Sequence, residues 1–192
     1  MKTQTLTEKI LEFPHCRKEI KLLFAEQFIP VEYLKGQVII SPNFTNPSLY
    51  FVVKGILRRY PMKIGKAKTS QLFFNGNFIV QNGQYLKKIN AEYLDCLTPV
   101  TLLSISPKQI ERFFRKEPEA VKLLLCILEE QKLKEIECAD MTRIDPAMER
   151  YQFASAILGK IIHELPNSIL SSYLRISEKQ LSRILFELAH NK

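Results

Sequence analysis

The chain has 192 residues, of which 46% are hydrophobic and 25% charged, an ordinary composition for a globular protein of one large or two small domains. No segment approaches the ~18 consecutive apolar residues of a membrane span, and residues 1–12 contain no apolar run of the kind a secretory signal requires. The net charge of +8 suggests a polyanionic partner, most commonly nucleic acid. We therefore expect a cytoplasmic protein without membrane partners.

The first part of the chain changes from a helical to a strand-like pattern. Apolar residues recur at helical spacing from Leu6 to Phe28, with Pro14 as the predicted break. Short β-rich runs separated by turn residues then follow: Val31–Leu34, Val38–Ile40, Leu49–Val53, Ile56–Tyr60, Gln71–Phe74, Phe78–Val80, Ala91–Leu97 and Val100–Ile105. Such closely spaced short strands predict a β-sandwich or barrel.

A long helix is predicted from near Pro118 to Met141, after a shorter helical stretch that begins at Pro107. It carries an apolar stripe between charged flanks. Two interpretations remain open: the helix packs on its own domain, or it forms a two-stranded dimer seam. The expected dimer interface consists of Val121, Leu124, Leu125 and Leu128.

Residues 145–192 predict a helical tail whose last two helices are separated near Arg175. Ser177 is a favourable N-cap for the final helix, with Gln180 three residues later as its capping-box partner. The outward side chains of this helix suit base edges and phosphates: Glu178, Lys179, Ser182 and Arg183. A water-facing helical hairpin would have the same spacing. Charge does not decide between the two, because the tail has six basic residues against five acidic ones.

Three blocks of the sequence resemble the Crp/Fnr family of transcription regulators, in the wingless-tailed form frequent in Bacteroidetes. They are Lys35-Gly36 with Val38–Ile40, the strand–Gly–strand segment Leu49–Tyr60, and Leu165–Leu185. The resemblance implies an α+β fold. Residues 1–117 would form an antiparallel, cyclic-nucleotide-binding-like β-roll (a jelly roll), residues 118–144 a dimerisation helix, and residues 145–192 a helix-turn-helix domain.

The resemblance also implies a homodimer that reads a palindromic operator in the major groove of double-stranded DNA. Glu178, Lys179 and Arg183 fall where the family reads bases, and Ser177 and Gln180 where it holds phosphates. The family usually has glycine at the turn position of Arg175, and a left-handed backbone there would strain arginine by ~1 kcal/mol. A second hypothesis remains open, a ligand-sensing or scaffold β-roll dimer that has lost sequence-specific DNA binding.

The segment that would hold an effector departs from the family's nucleotide binders, which have a Gly-Glu pair followed by an Arg-Ser-Ala-like run. Gly76 and Gly83 are present without a following glutamate, and Ile89 takes the place of the arginine. Lys87 or Lys88 would supply a point charge without the bidentate geometry of arginine. Cyclic AMP is therefore not the expected effector. The pocket holds another small molecule or is filled by its own side chains.

Metal and enzyme chemistry have little support in the sequence. The cysteines lack the C-x-x-C spacing of zinc and iron–sulfur sites; they are Cys16, Cys96, Cys126 and Cys138. The histidines lie outside the predicted strands, unlike those of a metal-dependent cupin; they are His15, His163 and His190. No nucleophile–base set has a supporting context. We expect a non-enzymatic protein without metal or cofactor.

Overall fold

The computed structural model describes residues 5–42, 48–63, 65–81 and 91–190. The helices in these ranges are α1 (Leu6–Glu12), α2 (Lys18–Ala25), α3 (Pro107–Lys116), α4 (Val121–Met141), α5 (Ala147–Leu158), α6 (Asn167–Leu174) and α7 (Glu178–His190). The strands are β1 (Ile29–Tyr33), β2 (Val38–Ile40), β3 (Leu49–Lys54), β4 (Leu57–Lys63), β5 (Lys66–Ala67), β6 (Gln71–Phe73), β7 (Phe78–Ile79), β8 (Glu92–Cys96) and β9 (Val100–Ile105).

The strands form two antiparallel sheets that face each other as a β-roll. One sheet has the order β1-β9-β3-β7, and the other has the order β2-β8-β4-β5 with β6 also paired to β4. Side chains of both sheets, such as Val52, Leu57 and Leu102, form a fully buried core between them. The other face of β3 is also covered, because Phe51 lies in a buried cluster with Phe24 and other side chains of the flanking helices. The predicted α+β fold with an antiparallel jelly roll is confirmed.

Two strands differ from the sequence prediction at their ends. β1 begins at Ile29 and contains Pro30, which the ladder tolerates because β1 lies at the edge of its sheet. β4 continues to Lys63 and turns into the short β5, which the sequence analysis did not predict. Gly65, with a φ of 69°, lies in the turn between them and explains the tight reversal.

The long helix begins later than predicted. Pro118–Ala120 forms a 3-10 turn, and the α-helix starts at Val121. Leu123 and Ile127 are completely buried in the cluster that also contains side chains of α1, α2 and α3. The helix therefore packs on its own β-roll along one face.

The three C-terminal helices share one hydrophobic cluster with part of the β-roll. Tyr151, Leu174 and Leu181 represent α5, α6 and α7 in this cluster, and Ile56 and Leu72 enter it from the β-roll. The core of the tail is thus continuous with the sheet that contains β4 and β6. The domain limits at residues 117 and 144 remain a prediction.

Candidate nucleic-acid interface

The turn between α6 and α7 is built around a left-handed residue. Arg175 has φ 57° and ψ 39°, a left-handed conformation that glycine would adopt without strain. The N–H of Ile176 donates to the Ser171 carbonyl (3.0 Å), which closes the end of α6. The turn is therefore tight, and arginine bears the expected backbone strain.

The first turn of α7 has the predicted capping box. The Ser177 N–H donates to Gln180 Oε1 (2.9 Å), and the Gln180 N–H donates to Ser177 Oγ (3.2 Å). The Ser177 hydroxyl also lies 3.0 Å from Gln180 Oε1. The early N–H groups of a helix have no intrahelical acceptor, so the start of α7 can receive an anion such as a phosphate.

The outward face of α7 is polar and exposed. The structure leaves the four predicted contact residues accessible: Glu178, Lys179, Ser182 and Arg183. Leu181 and Ile184 are buried in the cluster beneath. This inner packing fixes which side chains face outward, while the recognition role of those side chains remains a prediction.

Phe186 continues the outward face and was missed by the sequence analysis. It is 63% exposed, and its ring stacks on His190 at a centroid distance of 4.0 Å. Its position three residues after Arg183 places it on the same side of the helix. The three-residue separation of Arg183 and Phe186 in the sequence was enough to predict that both lie on this face.

Arg150 of α5 links the end of α4 to the turn before α7. Its Nε and Nη2 donate to the Ile144 carbonyl (2.9 and 2.7 Å), and its Nη1 donates to the Leu174 carbonyl (2.9 Å). A cation at the C-terminus of α6 also opposes the partial negative charge of that helix end. The sequence analysis missed this residue, because its acceptors are backbone groups six and 24 residues away.

Polar contacts link α6 and α4 to the β-roll. The Thr69 N–H donates to Ser172 Oγ of α6 (2.9 Å), and Cys138 Sγ of α4 donates to the Ser70 carbonyl (3.4 Å). Burial, and secondarily the neighbouring Cys138 thiol, raises the pKa of Tyr173 above its usual range. The helix-turn-helix is therefore held against the β-roll by the hydrogen bond at Ser172 as well as by apolar packing.

The face of α4 that points away from the β-roll is apolar and exposed. Val121, Leu125 and Leu128 from the predicted interface are 41%, 58% and 41% exposed, whereas Leu124 is half-buried and less exposed than these three. Leu133 and Ile136 extend the exposed stripe toward the end of the helix. Packing on the chain's own domain thus leaves a second apolar face available for a partner.

The predicted effector residues lie mostly outside the described part of the chain. Gly83, Lys87 and Lys88 fall within residues 82–90, which the structure does not describe. Gly76 has a φ of 84°, and its N–H donates to the Val52 carbonyl (3.0 Å) in the turn between β6 and β7. Its part in a ligand pocket remains a prediction.

Among the residues that the structure describes, no group of three or more histidine, cysteine, aspartate or glutamate residues could hold a metal ion. None of the helices in the described ranges is both long and apolar enough to cross a membrane.

Comparison with known proteins identifies the fold. No protein-family model and no curated protein matches the chain. Among solved structures, the c-di-GMP-responsive global regulator CLP of Xanthomonas campestris is 17% identical, with a TM-score of 0.69 over 91% of this chain and 93% of that one. A transcriptional regulator of the CRP/FNR family from Thermus thermophilus is 19% identical, with a TM-score of 0.61 over 85% and 87%. A protein with a cyclic nucleotide-binding domain from Listeria monocytogenes is 17% identical, with a TM-score of 0.65 over 96% and 89%.

These likenesses show that the chain has the Crp/Fnr fold, as the sequence blocks predicted. The Bacteroidetes-type tail remains a prediction.

Proposed function

We propose that this chain, which has the Crp/Fnr fold, is a DNA-binding transcription regulator that reads a palindromic operator as a homodimer. The observation that carries the proposal is the exposed polar face of α7, held on a buried apolar face after a closed left-handed turn. A helix presented in this way inserts its N-terminal half into the major groove.

The side chains of α7 have the chemistry that base recognition requires. Arg183 pairs with O6 and N7 of guanine, and Glu178 accepts from N4 of cytosine. Lys179 reaches either a base edge or a phosphate, and Ser182 bonds the backbone. The N-terminal N–H groups of α7 and the Ser177–Gln180 box approach a phosphate at the groove edge. Base contacts set specificity, while the phosphate contacts set register.

The exposed stripe of α4 supplies the dimer interface. Burying Leu125 and Leu128 against the same residues of a second α4 gains about half of the roughly 1.5–3 kcal/mol that a fully exposed leucine would gain, because these residues are 58% and 41% exposed. A two-fold axis along α4 gives two recognition helices, which match half-sites about 34 Å apart on one side of the duplex. The proposed operator is therefore an inverted repeat.

The test is recovery of bound fragments from sheared genomic DNA by the purified protein, followed by sequencing. We expect an inverted repeat with the wild type, unchanged by cyclic AMP, and loss of the motif with Arg183→Ala. Lys160→Ala is the matched control, because Lys160 is an exposed cation of the same domain outside α7. The Lys160→Ala protein should still enrich the same motif, and only its sequence-independent affinity for DNA should fall.

Recovery of fragments with no shared sequence, released at moderate salt, would mean attraction to phosphates alone. That result would favour the alternative function, a β-roll dimer without sequence-specific DNA binding. An Arg183→Ala variant that still enriches the wild-type motif would refute the assigned reading residue.

A further inference from the structure

The positive charge of the chain is concentrated outside its helix-turn-helix. Residues 145–192 have six basic residues against five acidic ones, so they contribute only +1 to the net charge of +8. Residues 33–91, by contrast, contain nine lysines and arginines and no aspartate or glutamate. Neutralisation of phosphates supplies much of the affinity of a DNA-binding protein. Under the proposed function, the β-roll is therefore the larger source of charge for phosphate contacts.

The two arginines of β4 are already engaged within the β-roll. Arg59 is 6% exposed and donates to Gln71 Oε1 (3.1 Å) and to the Val80 carbonyl (2.7 Å). Arg58 Nε donates to Asp95 Oδ1 (3.1 Å). Contacts with an external anion at this part of the sheet thus fall to the lysines that follow.

These lysines lie in the turn from β4 into β5, which we call the basic hairpin and define by Gly65, Lys66 and Lys68. All three residues are exposed. The backbone register sets Lys63 opposite Lys66, and like charges at opposed positions destabilise an antiparallel pair. In the part of the chain that the structure describes, neither Lys66 nor Lys68 lies at ion-pair distance from a carboxylate. An anionic partner would relieve this concentration of positive charge.

The basic hairpin is attached directly to the first helix of the helix-turn-helix. Thr69, which follows Lys68, is 1% exposed and donates its N–H to Ser172 Oγ of α6 (2.9 Å). Consecutive Cα atoms are about 3.8 Å apart, so Lys68 lies beside α6. The Lys68 N–H donates to the Pro61 carbonyl (3.2 Å), which holds the hairpin against β4. The hairpin and α6 therefore belong to one continuous surface.

The position beside α6 decides which anion the hairpin meets. The first helix of a helix-turn-helix crosses the DNA backbone while the second enters the major groove. Ser172 is four residues from the exposed Ser168 in the first turn of α6, so both lie on the same side of the helix. The N–H groups of that first turn favour a phosphate. Lysines next to Ser172 are thus close to the backbone that α6 crosses.

We propose that the basic hairpin binds the sugar-phosphate backbone of double-stranded DNA beside the half-site read by α7, through Lys66 and Lys68. These contacts carry no sequence information; they add affinity and fix the register of the protein on the duplex. The inference rests on the proposed DNA-binding function and adds to it a contact surface of the β-roll, outside the recognition helix.

The test is the salt dependence of binding to a labelled duplex of arbitrary sequence, measured by fluorescence anisotropy with the full-length protein. The logarithm of the binding constant falls linearly with the logarithm of the salt concentration, with a slope of about 0.9 for each neutralised phosphate. The double variant Lys66→Gln/Lys68→Gln should therefore lower the slope by about 1.8 for each protomer on the duplex. Lys66→Arg/Lys68→Arg keeps both charges and should keep the wild-type slope.

Lys18→Gln/Lys108→Gln is the matched control for net charge. Both lysines are exposed, on α2 and α3. These helices pack on the sheet that contains β3, whereas the basic hairpin belongs to the sheet that contains β4. The control should keep the wild-type slope. All variants should keep the wild-type urea midpoint, because each exchanged side chain is exposed.

A wild-type slope in Lys66→Gln/Lys68→Gln would overturn the proposal and assign these lysines to a partner other than DNA, such as an acidic protein surface. An equal loss of slope in the control would overturn it as well, because net charge alone would then explain the effect. A lowered slope without an enriched operator motif would support the hairpin contact and refute sequence-specific reading. An enriched motif with an unchanged slope would refute the hairpin contact alone, and absence of wild-type binding to any duplex would refute both.

Discussion

Replacing Arg150 by methionine tests whether the helix-turn-helix is held in place by one side chain. Methionine keeps the aliphatic length but removes the hydrogen bonds to the Ile144 and Leu174 carbonyls. Hydrogen bonds from a charged donor contribute roughly 1.5–3 kcal/mol each. The Arg175 carbonyl, which Nη1 also approaches at 3.4 Å, loses its contact as well. The three carbonyls are only partly shielded from water, so we expect the free energy of unfolding to fall by about 2–4 kcal/mol.

The assay is urea unfolding followed by circular dichroism, with Arg143→Met as the matched control. Arg143 pairs with Asp140 (2.7 Å) on the exposed side of the same segment, so its loss should cost at most about 0.5 kcal/mol. Arg150→Met should also weaken operator binding, because the turn before α7 loses its link to α4. If the free energy of unfolding of Arg150→Met lies within about 0.5 kcal/mol of that of Arg143→Met, Arg150 contributes no more than an exposed ion pair, and the reasoning is refuted.

Three further variants test the turn, the cap and the dimer face. Arg175→Gly relieves the left-handed strain and should raise stability by about 1 kcal/mol, and a lower urea midpoint would contradict this. Ser177→Ala removes the side-chain acceptor of the Gln180 N–H and should lower stability by about 1 kcal/mol, with no loss expected for the exposed Ser182→Ala. Leu128→Asp should convert the dimer to a monomer in sedimentation at unchanged helicity, while Glu129→Gln should stay dimeric; a dimeric Leu128→Asp protein would exclude the α4 seam.

Local patterns in the sequence predicted the elements well. The eight expected strands all occur, because alternating apolar residues and turn residues define them within a few positions. The capping box of α7 was predictable for the same reason, since Ser177 and Gln180 are three residues apart and bond each other.

Contacts between distant segments were not predictable. Helix α4 has apolar residues on two faces, and the sequence could not tell that Leu123 and Ile127 are the ones that its own β-roll buries. Arg59 shares the inward face of β4 with Leu57, but its acceptors lie on β6 and at Val80. The link through Arg150 likewise depends on how α5, α6 and the end of α4 meet in space.

The most direct test of the proposed function is the dependence of affinity on half-site spacing in the selected operator. Fluorescence anisotropy would compare the natural inverted repeat with a version that carries about five extra base pairs, half a helical turn, between its half-sites. A dimer with two fixed recognition helices should bind the altered operator no better than a single half-site. Equal affinity for the natural operator, the lengthened operator and a single half-site would contradict the proposal that a dimer binds both half-sites of a palindrome.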